Sequence, residues 1–307
     1  QWSRRDERSR ALVWHVLHQA VEHFPILEDK LPAAIEVGTK LGNAKYGKFD
    51  VASDIGRGAF GKVFSAVHEE SGEVFAIKAI SKVRIATTGH LSSLCREITV
   101  HRQLRHKNIV SYMGSMQGPG HILILMEHVG GENLFQYLKR GPMKTADAKR
   151  AMGQLASAIA YCHSQGAAHR DIKPENVAIR TAKDGLRIKL LDFGQCVYAD
   201  EPRDDLAGTM PFMAPEVLDA GEDSPYIPAG IDVWAFGMVV LETLCGLHAF
   251  DRVLGRSISV DKDPPKRADF ESVFGEHGVA WGHFGEADGD LVGLLRGTLA
   301  VDPSMRW

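Results

Sequence analysis

His169-Arg170-Asp171-Ile172-Lys173-Pro174-Glu175-Asn176, followed after a predicted turn at Asp184-Gly185 and the β-like run Leu186 to Leu191 by Asp192-Phe193-Gly194, is the stretch whose reading decides the fold. Two carboxylates and a side-chain amide converge here from neighbouring loops. Hard oxygen donors of this kind suit magnesium, and a carboxylate beside them can orient an attacking hydroxyl; together they are the equipment of phosphoryl transfer. Each half alone has a bland explanation, Asp192 as a strand-ending turn and Asp171 as a helix cap. The ordered pair makes that explanation a poor one.

At these residues the chain resembles the eukaryotic protein kinases of the serine/threonine type, over roughly residues 49 to 307. Carried over position by position, the resemblance implies that Asp171 accepts the substrate hydroxyl proton. It further implies that Asn176 and Asp192 ligate magnesium and that Lys173 stands beside the transferred phosphoryl group. Working outward, Gly56-Arg57-Gly58-Ala59-Phe60-Gly61-Lys62-Val63 lies between strand-like runs. Its missing β-carbons let backbone N–H groups close over phosphates, and strands on both sides separate it from a dinucleotide fold, where a helix follows. Ile55, Gly56, Gly58, Gly61, Val63 and Ala76 are read as cofactor-binding positions. The strand Val74 to Ile80 carries Lys78 as its only charge. A lysine in such a strand either reaches solvent or meets an anion, and the kinase pattern supplies two anions, the ATP α/β-phosphates and a glutamate, here Glu97 in the helical stretch Ser92 to Leu104, whose alternative is a solvated surface acid. Glu127 and Val129 would meet adenine through their backbones, and either Glu132 or Asn133, with Asn133 the preferred candidate, would meet the ribose. ATP and magnesium are the implied cofactors.

Further on, Gly208 to Glu216 resembles the end of an activation segment, in which Thr209 would contact Asp171 and Lys173 and Glu216 would pair with Arg306. Asp232, opening an apolar helix, resembles the buried carboxylate that holds the backbone of the Arg170 loop. Residues 195 to 207 contain no serine or threonine, so the usual phosphorylation switch has no acceptor, and Asp205, helped by Asp204, is expected to pair with Arg170 instead, the alternative being that both are solvated loop acids. Glu175 and Glu242 match positions that hold upstream arginines of a peptide, although Glu242 has the alternative of satisfying its helix neighbours. Three departures from the family stand out: His101 and Tyr112, where apolar side chains are usual, and Ala178 on the adenine floor.

The 307 residues are enough for about two lobes, each with a core of its own. A net charge of -3 gives no electrostatic case for nucleic acid. Cys95, Cys162, Cys196 and Cys245 lack C-x-x-C spacing, so neither a disulfide frame nor a zinc site is suggested and a cytoplasmic or nuclear location is expected. No run reaches the 18 or so consecutive apolar residues of a membrane helix, and no signal-peptide core precedes residue 24. Val13, Leu17, Ala20 and Phe24 recur at helical spacing, and a second short helix is read from Ala33 to Leu41. These form a helical extension, either an extra layer on the lobes or a regulatory or membrane-surface contact.

The expected fold is therefore α+β, the two-lobed protein-kinase fold. Residues 1–46 form the extension and 47–307 the kinase domain, with a mainly β lobe over 47–126, a hinge over 127–129 and a mainly α lobe over 130–307. ATP would sit between the lobes. The expected partner is a protein substrate with a serine or threonine acceptor, basic residues upstream. Two competitors remain: a pseudokinase scaffold, whose usual mark is loss of a residue such as Lys78, Asp171 or Asp192, and a small-molecule or lipid phosphotransferase.

Overall fold

The computed structural model describes residues 35–43, 45–58, 61–85, 87–118, 120–183, 185–255, 265–283 and 289–307. The chain divides into two compact units, one within residues 1–105 and 110–129, the other within 106–109 and 130–307. The N-terminal helix expected near residues 13–24 lies outside the described residues.

The first unit is built on a six-stranded antiparallel sheet in the order β1-β2-β3-β4-β6-β5. Its strands are β1 (Lys40–Asn43), β2 (Gly47–Gly58), β3 (Gly61–His68), β4 (Val74–Ser81), β5 (Tyr112–Gln117) and β6 (His121–Glu127), and helix α1 (Thr88–Gln103) follows β4. The helix expected over residues 33–41 is overturned in its described part. Lys40 and Leu41 instead pair with Asp50 and Phe49, and Leu41 is buried beside Phe49 and Val51. Core burial through strand pairing has outweighed a helical spacing of apolar residues.

Strand β4 is apolar almost throughout because both its faces are covered. Ile77 and Ala79 enter one core with Phe49, Phe64, Met116 and Leu125. Ile80 enters a second with Leu91, Leu94 and Ile98 of α1 and with Ile122 and Ile124. Each such Ile or Leu contributes about 1.5–3 kcal/mol when fully buried. Because strand side chains alternate, Lys78 shares the face of Ile80 and is delivered toward α1. That helix starts a turn earlier than the sequence suggests, because the Thr87 hydroxyl caps it by accepting from His90 N at 3.1 Å.

In the second unit the helices are α2 (Leu134–Leu138), α3 (Thr145–Ser164), α4 (Pro215–Leu218), α5 (Pro228–Cys245), α6 (Ala249–Leu254), α7 (Arg267–Phe274), α8 (Val279–His283) and α9 (Gly289–Thr298). Short strands join them in two small sheets, ordered β10 (Gly185–Leu190), β9 (Val177–Ala182), β7 (Glu132–Asn133) and β11 (Val197–Tyr198), β8 (Ala167–Ala168). Helix α5 reaches the length and mean apolarity of a membrane span, with mean hydropathy 1.4 over 18 residues, although Asp232 and Glu242 interrupt its apolar run. Most of it is buried inside the unit, and that explains its composition. Trp234 is fully buried and meets Phe270 and Phe274 edge-on, while Phe250 stacks on both.

Glu216 on α4 and Arg306 form a two-pronged ion pair, with Arg306 Nη2 2.7 Å from Glu216 Oε2 and Nη1 on Oε1. Arg306 also lies over the Trp234 ring, 5.0 Å from its centroid. Both side chains are largely buried, so removing Glu216 leaves the Arg306 charge with backbone carbonyls but without its counter-ion. Glu216→Ala should cost about 3–5 kcal/mol, read from chemical denaturation of the second unit.

Candidate active site

Chemistry-bearing side chains gather within each unit. In the first, Lys78 Nζ donates to Glu97 Oε1 at 2.6 Å, and both side chains are less than a tenth exposed. Strand parity and helix face bring this pair together, as the sequence reading required. Around it, Val63 pairs with Lys78 across β3 and β4, Ala76 is buried, and Ile55 is exposed. A Cβ on Gly61 would fall 1.8 Å from the Ala79 carbonyl oxygen, so sheet pairing alone demands glycine there. A Cβ on Gly56 would meet only Val63 Cβ, at 3.8 Å. The fold does not need that glycine, and close approach of a ligand to the backbone would. The loop tip at residues 59–60 lies outside the described residues. Glu127 closes β6, with its N–H donating to the Ser111 carbonyl at 3.0 Å, and Val129 follows two residues later.

In the second unit the organising group is Asp232, which has no exposure. Its carboxylate accepts from the backbone N–H groups of His169 and Arg170, each at 2.7 Å, and from His163 Nε2 at 2.9 Å. Arg170 adopts a φ of 64°, a left-handed conformation that a non-glycine residue takes only when its surroundings impose it. His169 donates from Nε2 to the Leu191 carbonyl at 2.8 Å and accepts from Asp171 N at Nδ1, which ties this loop to the strand end before Asp192.

Asp171 is therefore held at its backbone, and its carboxylate is held as well. Oδ1 accepts from Thr209 Oγ1 at 2.7 Å; Oδ2 lies 2.8 Å from Lys173 Nζ and 3.0 Å from Asn176 Nδ2. Lys173 also donates to Thr209 at 2.7 Å. Asn176 Nδ2 further donates to the Asp171 carbonyl, which turns the amide so that Oδ1 is presented as a hard oxygen. Asp192, at φ 54°, accepts from Gly194 N. An amide oxygen and a carboxylate are a donor set that fits magnesium.

The guanidinium of Arg170 donates to both oxygens of Asp205, at 2.9–3.1 Å, and Arg203 Nε adds a bond at 3.1 Å. Burial would raise the Asp205 carboxyl, but Arg170, with Arg203 behind it, outweighs that and holds it at about 2. The expected Arg170–Asp205 pairing is thus present. At the two positions expected to meet a ribose, Glu132 is paired with Arg140, and Asn133 caps α2, its Oδ1 accepting from Gln136 N at 2.8 Å. Sequence spacing gave no sign that both groups would have these commitments.

With this geometry in view, residues 49–307 match the family model described as the protein kinase domain. The chain belongs to that family, and its fold is the two-lobed kinase fold. It is 36% identical over 265 residues to a putative CBL-interacting protein kinase 13 of Oryza sativa subsp. japonica, covering 85% of this chain and 48% of that protein. It is 35% identical over 216 residues to CBL-interacting serine/threonine-protein kinase 15 of Arabidopsis thaliana, covering 69% and 50%. The chain spans about half the length of the curated relatives it matches.

Glu242 has the local partner that one of its two readings expects. It is 3% exposed and accepts from His248 N at 3.0 Å, so it serves its helix end rather than an open surface. Burial first, then the charges of Glu175 and Asp251, push its carboxyl from 4.5 up to about 7. A carboxyl raised on folding keeps its proton longer in the folded protein, so stability falls as pH rises from 4.5 to about 7 and stays low above that. Glu242→Gln retains the acceptor and should remove the decline. The gain above pH 7 should reach at most about 3 kcal/mol by denaturant unfolding, with little change at about pH 4.

Proposed function

We propose that this chain is the catalytic domain of an ATP-dependent serine/threonine protein kinase. The observation that carries the reading is the Asp171 carboxylate, held at three points by Thr209, Lys173 and Asn176. A carboxylate oriented in this way can take the proton of a seryl or threonyl hydroxyl as that oxygen bonds to the γ-phosphorus. The bond from phosphorus to the bridging oxygen breaks, and ADP leaves with the electron pair. Lys173 tethers both Asp171 and Thr209, and its charge stands beside the oxygen that loses the proton. Lys78, steadied by Glu97, would meet the α/β-phosphates. Asn176 and Asp192 would hold magnesium, which supplies neutralisation of phosphate charge when bound.

Gly56, Gly58 and Gly61 would admit the phosphates, while Ile55, Val63, Ala76 and the backbones of Glu127 and Val129 would receive adenine. Asn133 would offer the ribose its Nδ2, since its Oδ1 caps α2. Against a pseudokinase reading stands the presence of Lys78, Asp171, Asn176 and Asp192 together. The substrate is a protein, and an upstream basic residue in it would be met by Glu175, which is exposed, more than by buried Glu242. Four scattered cysteines without C-x-x-C spacing support a reducing, intracellular setting.

The test is transfer from γ-labelled ATP to basic peptides and proteins, with identification of the labelled amino acid. Label on serine or threonine is expected, and peptides with arginine two or three residues before the acceptor should be preferred. ATP bound without transfer would favour the scaffold. Asp171→Asn and Asp192→Asn should each lower kcat by roughly two orders of magnitude or more without unfolding the protein, and Lys78→Met should do the same at a temperature where it is folded, its melting temperature being lower because Glu97 loses its buried counter-ion. Near-parent turnover in a folded Asp192→Asn protein overturns the assignment.

A further inference from the structure

The segment that brings Thr209 to Asp171 is closed onto the catalytic loop by a network with one member that no motif announces. Tyr226 lies just before α5 and is 3% exposed. Its backbone exchanges two hydrogen bonds with Arg203, Arg203 N to Tyr226 O at 2.9 Å and Tyr226 N to Arg203 O at 2.8 Å, which fixes where the ring stands. Its hydroxyl accepts from Arg170 Nη1 at 2.9 Å and donates to the Asp205 carbonyl at 2.9 Å. One hydroxyl thus bridges the residue before the catalytic carboxylate and the backbone of the segment that must cover it.

The same two residues are joined by the Arg170–Asp205 ion pair, and Arg203, fixed by Tyr226, supplies the second guanidinium to that carboxylate. Closure here has a direct route to the chemistry. Asp205 is fixed on Arg170 and Thr209 on Asp171, so positions four apart in the segment are registered on adjacent residues of the loop. Between them the chain turns at Gly208, with φ 101°, where a Cβ would come 3.4 Å from the Arg170 carbonyl oxygen. Loosening the first contact therefore loosens the second. No serine or threonine lies between residues 195 and 207 to carry a phosphate that would do this work.

We propose that Tyr226 is a positioning residue for phosphoryl transfer: with Arg203 it holds Asp205 on Arg170, so that the segment is closed by groups encoded in the chain and not by modification. The inference rests on the kinase reading above. A lone carboxylate has about half the charge of a phosphate and fewer oxygens. Two guanidinium groups on its oxygens and a hydroxyl on its carbonyl make up the difference.

The experiment is a double-mutant cycle on phosphatase-treated protein, reading kcat, the KM for ATP and digestion of residues 195–207 by a protease. Tyr226→Phe keeps the ring and deletes the hydroxyl. It should lower kcat roughly tenfold and leave the KM for ATP unchanged. Asp205→Ala should lose more, Asp205→Glu should recover part of that loss, and Tyr226→Phe combined with Asp205→Ala should be no worse than Asp205→Ala alone. A merely structural tyrosine would lower the melting temperature, leave kcat intact well below it, and add its effect in the double variant. Parent-like kcat in Tyr226→Phe, or additive losses, overturns the proposal. If Asp205→Ala does not fold, the protease decides, and a segment in Tyr226→Phe as resistant as in the parent overturns it too. Activity that vanishes on phosphatase treatment overturns the claim of closure without modification. A parent that transfers no phosphate under any condition sinks the kinase reading instead, whereas an active parent with an indifferent Tyr226→Phe sinks only this inference.

Discussion

The structure of the site hangs from a carboxylate that water never reaches. Burying Asp232 without partners would cost several kcal/mol, and it is tolerated because two backbone amides and an imidazole donate to it at hydrogen-bond distance. Those donors are consecutive in the chain, His169 and Arg170, and pointing both at one carboxylate bends the loop into the left-handed turn at Arg170. A turn of that kind costs on the order of 1–2 kcal/mol in a non-glycine residue. It persists because Asp232 holds its amide and Asp205 its guanidinium. Asp171 comes next in the chain, and its placement follows from that turn.

The first unit solves a related problem by different means. Lys78 is a charge in a strand covered on both faces, and it is admitted because the strand's two-residue period aims it at α1, where Glu97 stands on the buried side. The departures at His101 and Tyr112 fit the same local logic. His101 Nε2 donates to the Val110 carbonyl at 2.7 Å, and its ring meets the edge of Tyr112, whose hydroxyl donates to Ser115. Two polar rings thus occupy a column where apolar side chains are usual, with hydrogen bonds that offset their burial.

What was legible in the sequence was whatever depends on a few residues at set spacing. The Asp171 cluster, the Lys78–Glu97 and Glu216–Arg306 pairs, the role of Asp232 and the Arg170–Asp205 contact all follow from motifs whose members meet through short loops or one helix face. What was not legible depends on tertiary burial. Lys40–Asn43 became a strand because β2 offered it an edge and a core. Helix α5 carries membrane-like hydropathy because its buried face is core, its own Trp234 packing on Phe270 and Phe274, against which Phe250 stacks. Glu242 reads as a surface acid until the loop from α5 to α6 folds His248 N onto it. Tyr226 gave no signal, since a single tyrosine in a loop acquires meaning only once Arg203 and Arg170 are placed beside it.

The claim at the centre of this account is that one buried carboxylate sets the geometry of the catalytic loop. The most direct measurement is kcat for Asp232→Asn, taken at a temperature where thermal melting shows the protein folded. An asparagine has one acceptor oxygen where the carboxylate has two, so it cannot hold both amides. The account predicts a fall in kcat of roughly two orders of magnitude or more with ATP affinity retained. Parent-like turnover in folded Asp232→Asn would contradict it.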